Sequence, residues 1–417
     1  MIDTYNIYKT ESYYGKMDTL FSLIIVLLPF LHQYKGIGSI VSFGELLLVP
    51  FVLYYSITII RDRCITPNKP LLLIYFFSIL GVVVNYATDY FELSSAITVV
   101  MRLLFYGIII YSAKSHFNIN SVVRFYSIAS VVASVYLIIQ FIIYHTSGTI
   151  LPIYFNYSWL FPPEARAVSL TKYFDVYRAF RASSLFLEPG YYALFCIPNA
   201  CILMLKTEKK NKDRLNLMIV FTGLILSESM AGLGAIIIIL GCYLFFVKRK
   251  EGGLFKILVI ICMLLILGFM IFSEVSSLNI VSRVQSGGSF NYRVTRGIII
   301  YEKLPLFHKI FGVGLNNIQA FMQTNGLSTP FDETNLNACC TILQTLNFSG
   351  IFAFIALLGY NLQEYRKSYG PVSRAMTLIM FYIMCYESIL FSFRFAFLTI
   401  MIIGIKNLEQ EGSWNIR

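Results

Sequence analysis

The sequence predicts an all-helical integral membrane protein, and three observations lead to that fold class. Of its 417 residues, 57% are hydrophobic and only 13% are charged, with a mean hydropathy of +0.69. A soluble protein of this size carries about 25% charged residues. Apolar runs recur along the chain at lengths near the roughly 17–25 residues that a helix needs to cross a bilayer. Basic residues gather in alternate short loops between these runs.

We predict about twelve transmembrane helices in a single polytopic domain over residues 1–417. They lie near 18–34, 37–60, 70–86, 95–113, 121–144, 185–205, 215–229, 231–247, 254–273, 336–361, 373–387 and 388–405. Ser227-Glu228-Ser229 breaks one long run, which predicts two short helices that meet at a polar elbow. The last two runs divide in the same way near Glu387. The two halves share no repeat, which weighs against transporters built from repeated halves.

The distribution of basic residues predicts the topology. Most of the 33 lysines and arginines lie in five short loops and at the two termini, all on one side. The positive-inside rule makes that side the cytoplasm, so both termini are expected there, with no removable signal peptide. Two long loops, roughly 145–184 and 274–335, then lie outside. The sequence has no basic tail or aromatic–basic groove of the kind that binds nucleic acid.

The arginines of the two long loops predict an anionic ligand. Arg178 and Arg181 precede Glu188-Pro189-Gly190 in the first loop, and Arg293 and Arg296 lie one helical turn apart in the second. Arginine stays charged and binds phosphate through a planar fork. A lipid-linked pyrophosphate fits such a site, because preorganised cations stabilise a pyrophosphate leaving group without a metal. The loops lack a DxD pair and a carboxylate cluster, so we expect neither a metal nor a cofactor.

Four segments resemble the Wzy-type O-antigen and capsular polysaccharide polymerases, within the O-antigen polymerase and ligase superfamily. They are Arg181-Ala182-Ser183-Ser184-Leu185-Phe186-Leu187-Glu188-Pro189-Gly190, the elbow Leu226-Ser227-Glu228-Ser229-Met230-Ala231-Gly232, Asn291-Tyr292-Arg293 with Phe311-Gly312-Val313-Gly314, and Leu343-Gln344 with Gly350. The resemblance implies a GT-C-like, metal-independent glycosyltransferase in the bacterial cytoplasmic (inner) membrane. Such an enzyme transfers a growing glycan from undecaprenyl pyrophosphate to a lipid-linked repeat unit on the outer face. A chain-length regulator and a flippase are the implied partner proteins, besides membrane lipids.

The chain departs from the family pattern at three places. The elbow lacks the arginine that the family often has there. Cys339 stands where ligases of the superfamily carry a His-Asn pair, which favours a polymerase over a ligase. The spacing from Arg181 to Gly190 is shorter than the Arg-x10-Gly pattern of some polymerases. Both Arg178 and Arg181 therefore stay open as the essential arginine of the first loop.

Three residues are the predicted catalytic set. Arg181 and Arg293 are expected to contact pyrophosphate, although loop arginines also serve as solvated charges or headgroup anchors. Glu188 is a candidate base for the acceptor hydroxyl if its surroundings are apolar. An ion pair between Glu188 and a nearby arginine, which would fix the loop, is the alternative.

Six further residues are candidates for substrate binding. Arg178 and Arg296 could share a face with the two arginines above. Tyr191 and Tyr192 could stack on sugar rings, or act as ordinary interfacial tyrosines. His308 could act in acid–base chemistry. Arg102 lies within a span and needs a carboxylate partner, for which Glu45 and Glu387 are the candidates.

Two other functions stay open from the sequence. A ligase of the same superfamily would move glycan to a different acceptor, and the absent His-Asn pair counts against it. A lipid-linked oligosaccharide flippase or transporter would place charges along a midplane pathway, whereas the charges within the predicted spans are few.

Overall fold

The computed structural model describes residues 15–37, 41–62, 68–152, 181–206, 210–246, 289–327, 336–337 and 339–411. Within these ranges the secondary structure is helical apart from an isolated bridge between Lys35 and Ser42, so the all-helical prediction is confirmed. The helices are α1 (Lys16–Leu31), α2 (Phe43–Asp62), α3 (Lys69–Asn85), α4 (Leu93–His116), α5 (Ile119–Ser147), α6 (Pro189–Leu205), α7 (Asn211–Leu226), α8 (Met230–Phe246), α9 (Ser289–Lys303), α10 (Leu306–Phe311), α11 (Ile318–Thr324), α12 (Thr341–Arg366), α13 (Pro371–Tyr386) and α14 (Phe393–Glu411).

Three of these helices, α4, α5 and α12, are long and apolar enough to cross a membrane. Five shorter apolar stretches accompany them, at Phe43–Thr58, Lys69–Asn85, Pro189–Leu205, Met230–Phe246 and Pro371–Tyr386. Large apolar side chains also face outward, as Met101 does on α4 with 62% of its surface exposed. A folded soluble protein rarely leaves so many of them in water. Length, composition and surface together indicate a helical membrane protein.

The predicted apolar segments coincide with helices wherever the structure describes them. Only the segment at 254–273 lies outside the described residues. α7 and α8 meet at residues 227–229, as the polar elbow predicts, and Glu228 turns the chain there with a φ of +48°. α13 and α14 meet at residues 387–392. The second long loop differs from a simple connection, because α9, α10 and α11 lie within it.

The ends of the helices gather at two opposite sides of the protein. One, called the loop end here, gathers the turns at 32–37 with 41–42, 86–92, 181–188, 227–229, 312–317 and 387–392. Hydrogen bonds join these turns: Gln33 donates to Leu185 O at 2.7 Å, and Asn85 donates to Gly312 O at 3.1 Å. The opposite end has its own ion pairs, such as His116 with Asp18, Lys206 with Asp213 and Lys406 with Glu364.

A close crossing of backbones fixes the second long loop on α12. Gly350 kinks α12 with a φ of +80°, and a Cβ there would meet the carbonyl of Ile310. Gly312 has a φ of +76°, and its Cβ would meet the carbonyl of Phe348. Only glycine adopts these conformations without strain and allows this approach. The crossing therefore holds the residues after α10 against the first half of α12.

Candidate functional site

The site is built around the turn between α13 and α14. Thr341, the first residue of α12, donates to Glu387 O through its backbone N–H at 2.9 Å and through its hydroxyl at 2.6 Å. Its Oγ1 in turn accepts the N–H of Ile389 at 2.8 Å. The beginning of one helix thus anchors the turn between two others. This anchoring fixes the backbone at Glu387.

Glu387 binds two arginines at once. Arg293 Nη1 lies 2.5 Å from Oε1, and Arg394 Nη1 lies 2.8 Å from Oε2. All three side chains are half-buried, with 20–30% of each exposed. Two guanidinium groups against one carboxylate leave one excess positive charge. We call these three residues the arginine–glutamate cluster.

Aromatic side chains flank the cluster on the side of α6. The guanidinium carbon of Arg394 lies 4.6 Å from the ring centroid of Tyr191, a cation–π arrangement. The ring of Phe393 lies 5.8 Å from Tyr191 and 3.9 Å from His32 at the end of α1. Glu188, which precedes α6, is within electrostatic range of Arg394. The first turn of α6 and the beginning of α14 therefore face each other beside the cluster.

Arg181 meets the polar elbow. Its Nη2 donates to the backbone carbonyl of Glu228, so two of the segments that resemble the polymerase family are in direct contact. The elbow is also joined to α13, since the Tyr382 hydroxyl donates to Met230 O at 2.9 Å. The Tyr382 ring packs at a tilt against the ring of Tyr386, with centroids 4.9 Å apart, and Tyr386 directly precedes Glu387. This chain of contacts connects Arg181 with the arginine–glutamate cluster through α13.

The segment that carries Arg181 is held by buried amides. Gln33 bonds Leu185 O at 2.7 Å and the N–H of Leu187 at 2.9 Å. Gln140 on α5 bonds Ser184 in the same two-sided way, at 3.0 Å and 2.8 Å. A glutamine side chain that pairs with backbone donor and acceptor groups fixes a loop as a strand partner would. The approach of residues 181–188 to α6 is therefore rigid.

Tyr386 adds a hydroxyl that the sequence analysis missed. The residue is 8% exposed, and its hydroxyl makes no hydrogen bond with the described residues. It lies within electrostatic range of Glu387, Arg293 and Arg394. Buried hydroxyl groups are normally hydrogen-bonded, so this one has capacity for a ligand oxygen or a water. Only its position next to Glu387 could have singled it out in the sequence.

Arg296 does not join the cluster. It shares α9 with Arg293, yet its side chain is fully buried and contacts the Cys339 thiol. The same face of α9 is tied to α12, since Cys340 donates to Arg293 O at 3.3 Å and Asn347 donates to Gly297 O at 3.0 Å. The structure therefore assigns Arg296 to the contact between α9 and the beginning of α12.

Tyr192 and Glu188 differ from their sequence-based expectations. Tyr192 is fully buried, and its hydroxyl donates to Ser134 Oγ at 2.8 Å, so neither ring face is open to a sugar. Burial in the contact of α6 with α5 is the physical reason. Glu188 is exposed, whereas its role as a base was expected in apolar surroundings. Its closeness to Arg394 agrees better with the alternative, an electrostatic partner of an arginine.

The remaining candidates lie apart from the cluster or outside the described residues. Arg102 Nε lies 4.0 Å from Glu45 Oε1, which selects Glu45 rather than Glu387 as its partner. His308 packs edge-on against Phe321 at 4.9 Å, in a separate apolar cluster at the loop end. Arg178 lies outside the described residues.

Among the residues that the structure describes, no group of three or more His, Cys, Asp or Glu side chains could hold a metal ion. No protein-family model matches the chain, and a search of the curated proteins finds no match either.

Proposed function

We propose that this chain is a polysaccharide polymerase, an integral membrane glycosyltransferase that joins lipid-linked repeat units. The growing glycan on undecaprenyl pyrophosphate is the donor, and one lipid-linked repeat unit is the acceptor. The chain has about twelve spans in the cytoplasmic membrane, with both termini inside. The loop end is the outer face, where the reaction takes place. The resemblance of four segments to the Wzy-type polymerases underlies the choice of substrate.

One observation carries the proposal: Glu387 holds Arg293 and Arg394 together in an apolar helical bundle. Charges at membrane depth are costly and are kept where they serve a function. Arg293 belongs to the second long loop, and Tyr191 of α6, which follows the first long loop, stacks on Arg394. The second long loop and the first turn of α6 thus meet at one cationic site.

The site is suited to a pyrophosphate leaving group. As the sugar leaves the donor lipid, negative charge grows on the pyrophosphate oxygens. Arg293 and Arg394 are already oriented by Glu387, so they stabilise this charge without reorganising in the transition state. The Tyr386 hydroxyl supplies a further donor next to them. The two guanidinium groups do the work that a metal ion does in other glycosyltransferases.

The topology is supported by charge and by contacts together. The turns of the loop end carry the cationic site, and the described basic residues Lys114, Arg124, Arg366 and Arg374 lie towards the opposite end. There Lys206 pairs with Asp213, and Lys406 pairs with Glu364. Basic clusters of this kind mark the cytoplasmic side of a membrane protein.

The test is made in a strain that lacks the gene, complemented with the wild type, with Arg293→Ala, or with Arg366→Ala as a control. Arg366 is exposed at the opposite end of α12. Surface polysaccharide and the lipid-linked pool are run on one gel. We expect a ladder with the wild type and the control, and only single repeat units with Arg293→Ala.

The same gel separates the two other functions. Full-length chains that stay on the lipid carrier in the deletion strain would identify a ligase. Repeat units that stay unpolymerised on the cytoplasmic face would identify a flippase. Either result would refute the polymerase.

A further inference from the structure

The turn between α9 and α10 exposes large apolar side chains. Leu306 has 74% of its surface exposed and Phe307 has 48%, and Ile298 on the preceding helix is exposed as well. All three belong to the second long loop, which the sequence places outside the membrane. Neighbouring apolar side chains that face outward mark a surface that contacts a partner or a membrane. The depth of this turn in the helical bundle decides between the two.

The contact between α10 and α3 gives that depth. A Cβ on Gly81 would lie 2.8 Å from the carbonyl oxygen of Phe311, the last residue of α10. Gly81 lies within α3 (Lys69–Asn85), one of the apolar stretches of the bundle. Because a helix rises about 1.5 Å per residue, this contact is about 6 Å inside the end of α3. The end of α10 therefore lies level with an apolar stretch and not above it.

The helices that α10 packs on have apolar outer faces of their own. α10 contacts α3 and α12, and it crosses α12 at the kink of Gly350. Phe352 and Ile355 are exposed on α12 just beyond this kink, and Val83 is exposed near the end of α3. In a membrane protein such outward side chains face the lipid chains. The exposed side chains of α10 continue this lipid-facing surface.

Two lysines flank the apolar turn. Lys303 is the last residue of α9 and is exposed. Lys309 lies in α10, with its Nζ 5.6 Å from the ring centroid of Tyr301. Lysines beside an apolar surface are typical of segments that lie in the membrane interface, because the long side chain reaches the anionic headgroups while its stem stays on apolar atoms.

A second copy of the chain fits this turn less well than lipid does. A stable interface between proteins buries roughly 1,000 Å² or more in total. The exposed side chains of the turn are Ile298, Leu306 and Phe307, which together offer far less area than that. Insertion into a bilayer needs no such minimum, since each apolar side chain gains separately from leaving water.

We propose that the turn between α9 and α10 is a membrane anchor and that its partner is the lipid surface at the loop end. Leu306 and Phe307 insert at the boundary between headgroups and acyl chains, and Lys303 and Lys309 reach the lipid phosphates. Arg293 lies on α9 about 15 Å before Lys303. The anchor thus fixes the height of the arginine–glutamate cluster relative to the bilayer surface.

The test places a single tryptophan in the full-length protein, reconstituted in liposomes. Trp159→Phe and Trp414→Phe remove the two tryptophans of the chain, and Phe307→Trp is then introduced. The lipids carry bromine atoms at a shallow or a deep position of the acyl chain, and bromine quenches tryptophan fluorescence on contact. We expect a blue-shifted emission, a larger loss of intensity with shallow than with deep bromine, and protection from aqueous iodide.

Two variants in the same background are the matched controls. Gln323 is exposed on α11 beside the exposed Thr324 and Asn325, so Gln323→Trp is expected to be quenched by iodide and not by bromine. Ile355 faces outward within the long apolar helix α12, so Ile355→Trp is expected to be quenched most by the deep bromine. The two controls define the responses of water and of the bilayer interior.

Either of two results would refute the anchor. If Phe307→Trp behaves as Gln323→Trp does, the turn faces water. If its emission is blue-shifted but neither bromine nor iodide quenches it, protein covers the turn, as another segment of the chain or a second copy. Should Phe307→Trp fail to fold, Leu306→Trp serves in its place, because Leu306 is the more exposed. The measurement needs no sugar substrate, so its result is independent of the proposed polymerase function.

Discussion

Arg293 and Glu387 form an ion pair that joins a helix of the second long loop to the turn between α13 and α14, with 2.5 Å between Nη1 and Oε1. Arg394 binds the other carboxylate oxygen at 2.8 Å. One carboxylate therefore holds two like charges close together. Such an arrangement is stable only while all three groups are present, because an unpaired charge in apolar surroundings is costly.

Glu387→Gln is expected to destabilise the protein while it increases the attraction of the site for anions. The two arginines would lose their shared counter-charge, at a cost of about 2 kcal/mol. That value is below the range for fully buried pairs, because each side chain is 20–30% exposed. Thermal unfolding in detergent, with and without inorganic pyrophosphate, measures both effects. An unchanged midpoint, or weaker stabilisation by pyrophosphate than in the wild type, would contradict this.

Arg394→Lys is expected to lower polymerisation by roughly tenfold or more with little loss of folding. Lysine keeps the charge that pairs with Glu387. It lacks the planar fork for phosphate and the stacking on Tyr191, which Arg394 now makes at 4.6 Å. Initial rates with a lipid-linked repeat unit measure the effect, and Arg366→Lys is the control. Equal rates for Arg394→Lys and the wild type would mean that the guanidinium makes no specific contact.

Helices and their breaks could be predicted from the sequence, because apolar runs and polar interruptions are local features. The elbow at Ser227-Glu228-Ser229 and the division near Glu387 both correspond to ends of helices. The helices of the second long loop were missed. α9 is amphipathic and shorter than a membrane span. Its helical form therefore depends on packing against α12, as the hydrogen bond from the Cys340 backbone N–H to Arg293 O shows.

The partners of the charged residues could not be predicted, since they depend on tertiary structure. The sequence offers Glu45 and Glu387 as carboxylate partners for Arg102, and the structure pairs Arg102 with Glu45. Glu387 instead binds Arg293 and Arg394. The capping pattern from Ser42 to Glu45 was present in the sequence and would have indicated where α2 begins.

Gly350→Ala is expected to prevent stable folding, with a loss of at least about 3 kcal/mol from backbone strain and overlap. Its φ is +80°, and a methyl group would meet the carbonyl of Ile310. Gly359→Ala on the same helix is the control, because a Cβ there meets nothing within 4 Å. Yield and thermal midpoint of both variants give the comparison. A Gly350→Ala protein as stable as the control would show that the crossing with α10 is not tight.

His308 is expected to make stability depend on pH. Burial lowers the pKa of His308 below its ordinary 6.5, and a hydrogen bond with Gly312 O only partly opposes this. Between the folded and unfolded pKa values the unfolded chain binds more protons. Stability therefore falls as the pH falls below about 6.5, and is fully present above it. Between pH 7.5 and pH 5, the unfolding midpoint of His308→Gln should decline less than that of the wild type. Parallel curves for the two proteins would contradict this.

Removal of divalent metal is expected to leave the polymerisation rate unchanged. The arginine–glutamate cluster supplies the positive charge that the leaving pyrophosphate needs. The measurement is the rate of the purified protein before and after treatment with EDTA. Loss of activity that Mg²⁺ restores would show that a metal takes part.

The most direct test of the proposed polymerisation follows both products of one reaction. The purified wild type and Arg293→Ala are each given a lipid-linked repeat unit, and glycan length is measured together with released undecaprenyl pyrophosphate. We expect growing chains with one pyrophosphate carrier released per new linkage from the wild type, and neither product from Arg293→Ala. Chains of equal length from both proteins, or repeat units that only cross a vesicle membrane without being joined, would contradict it.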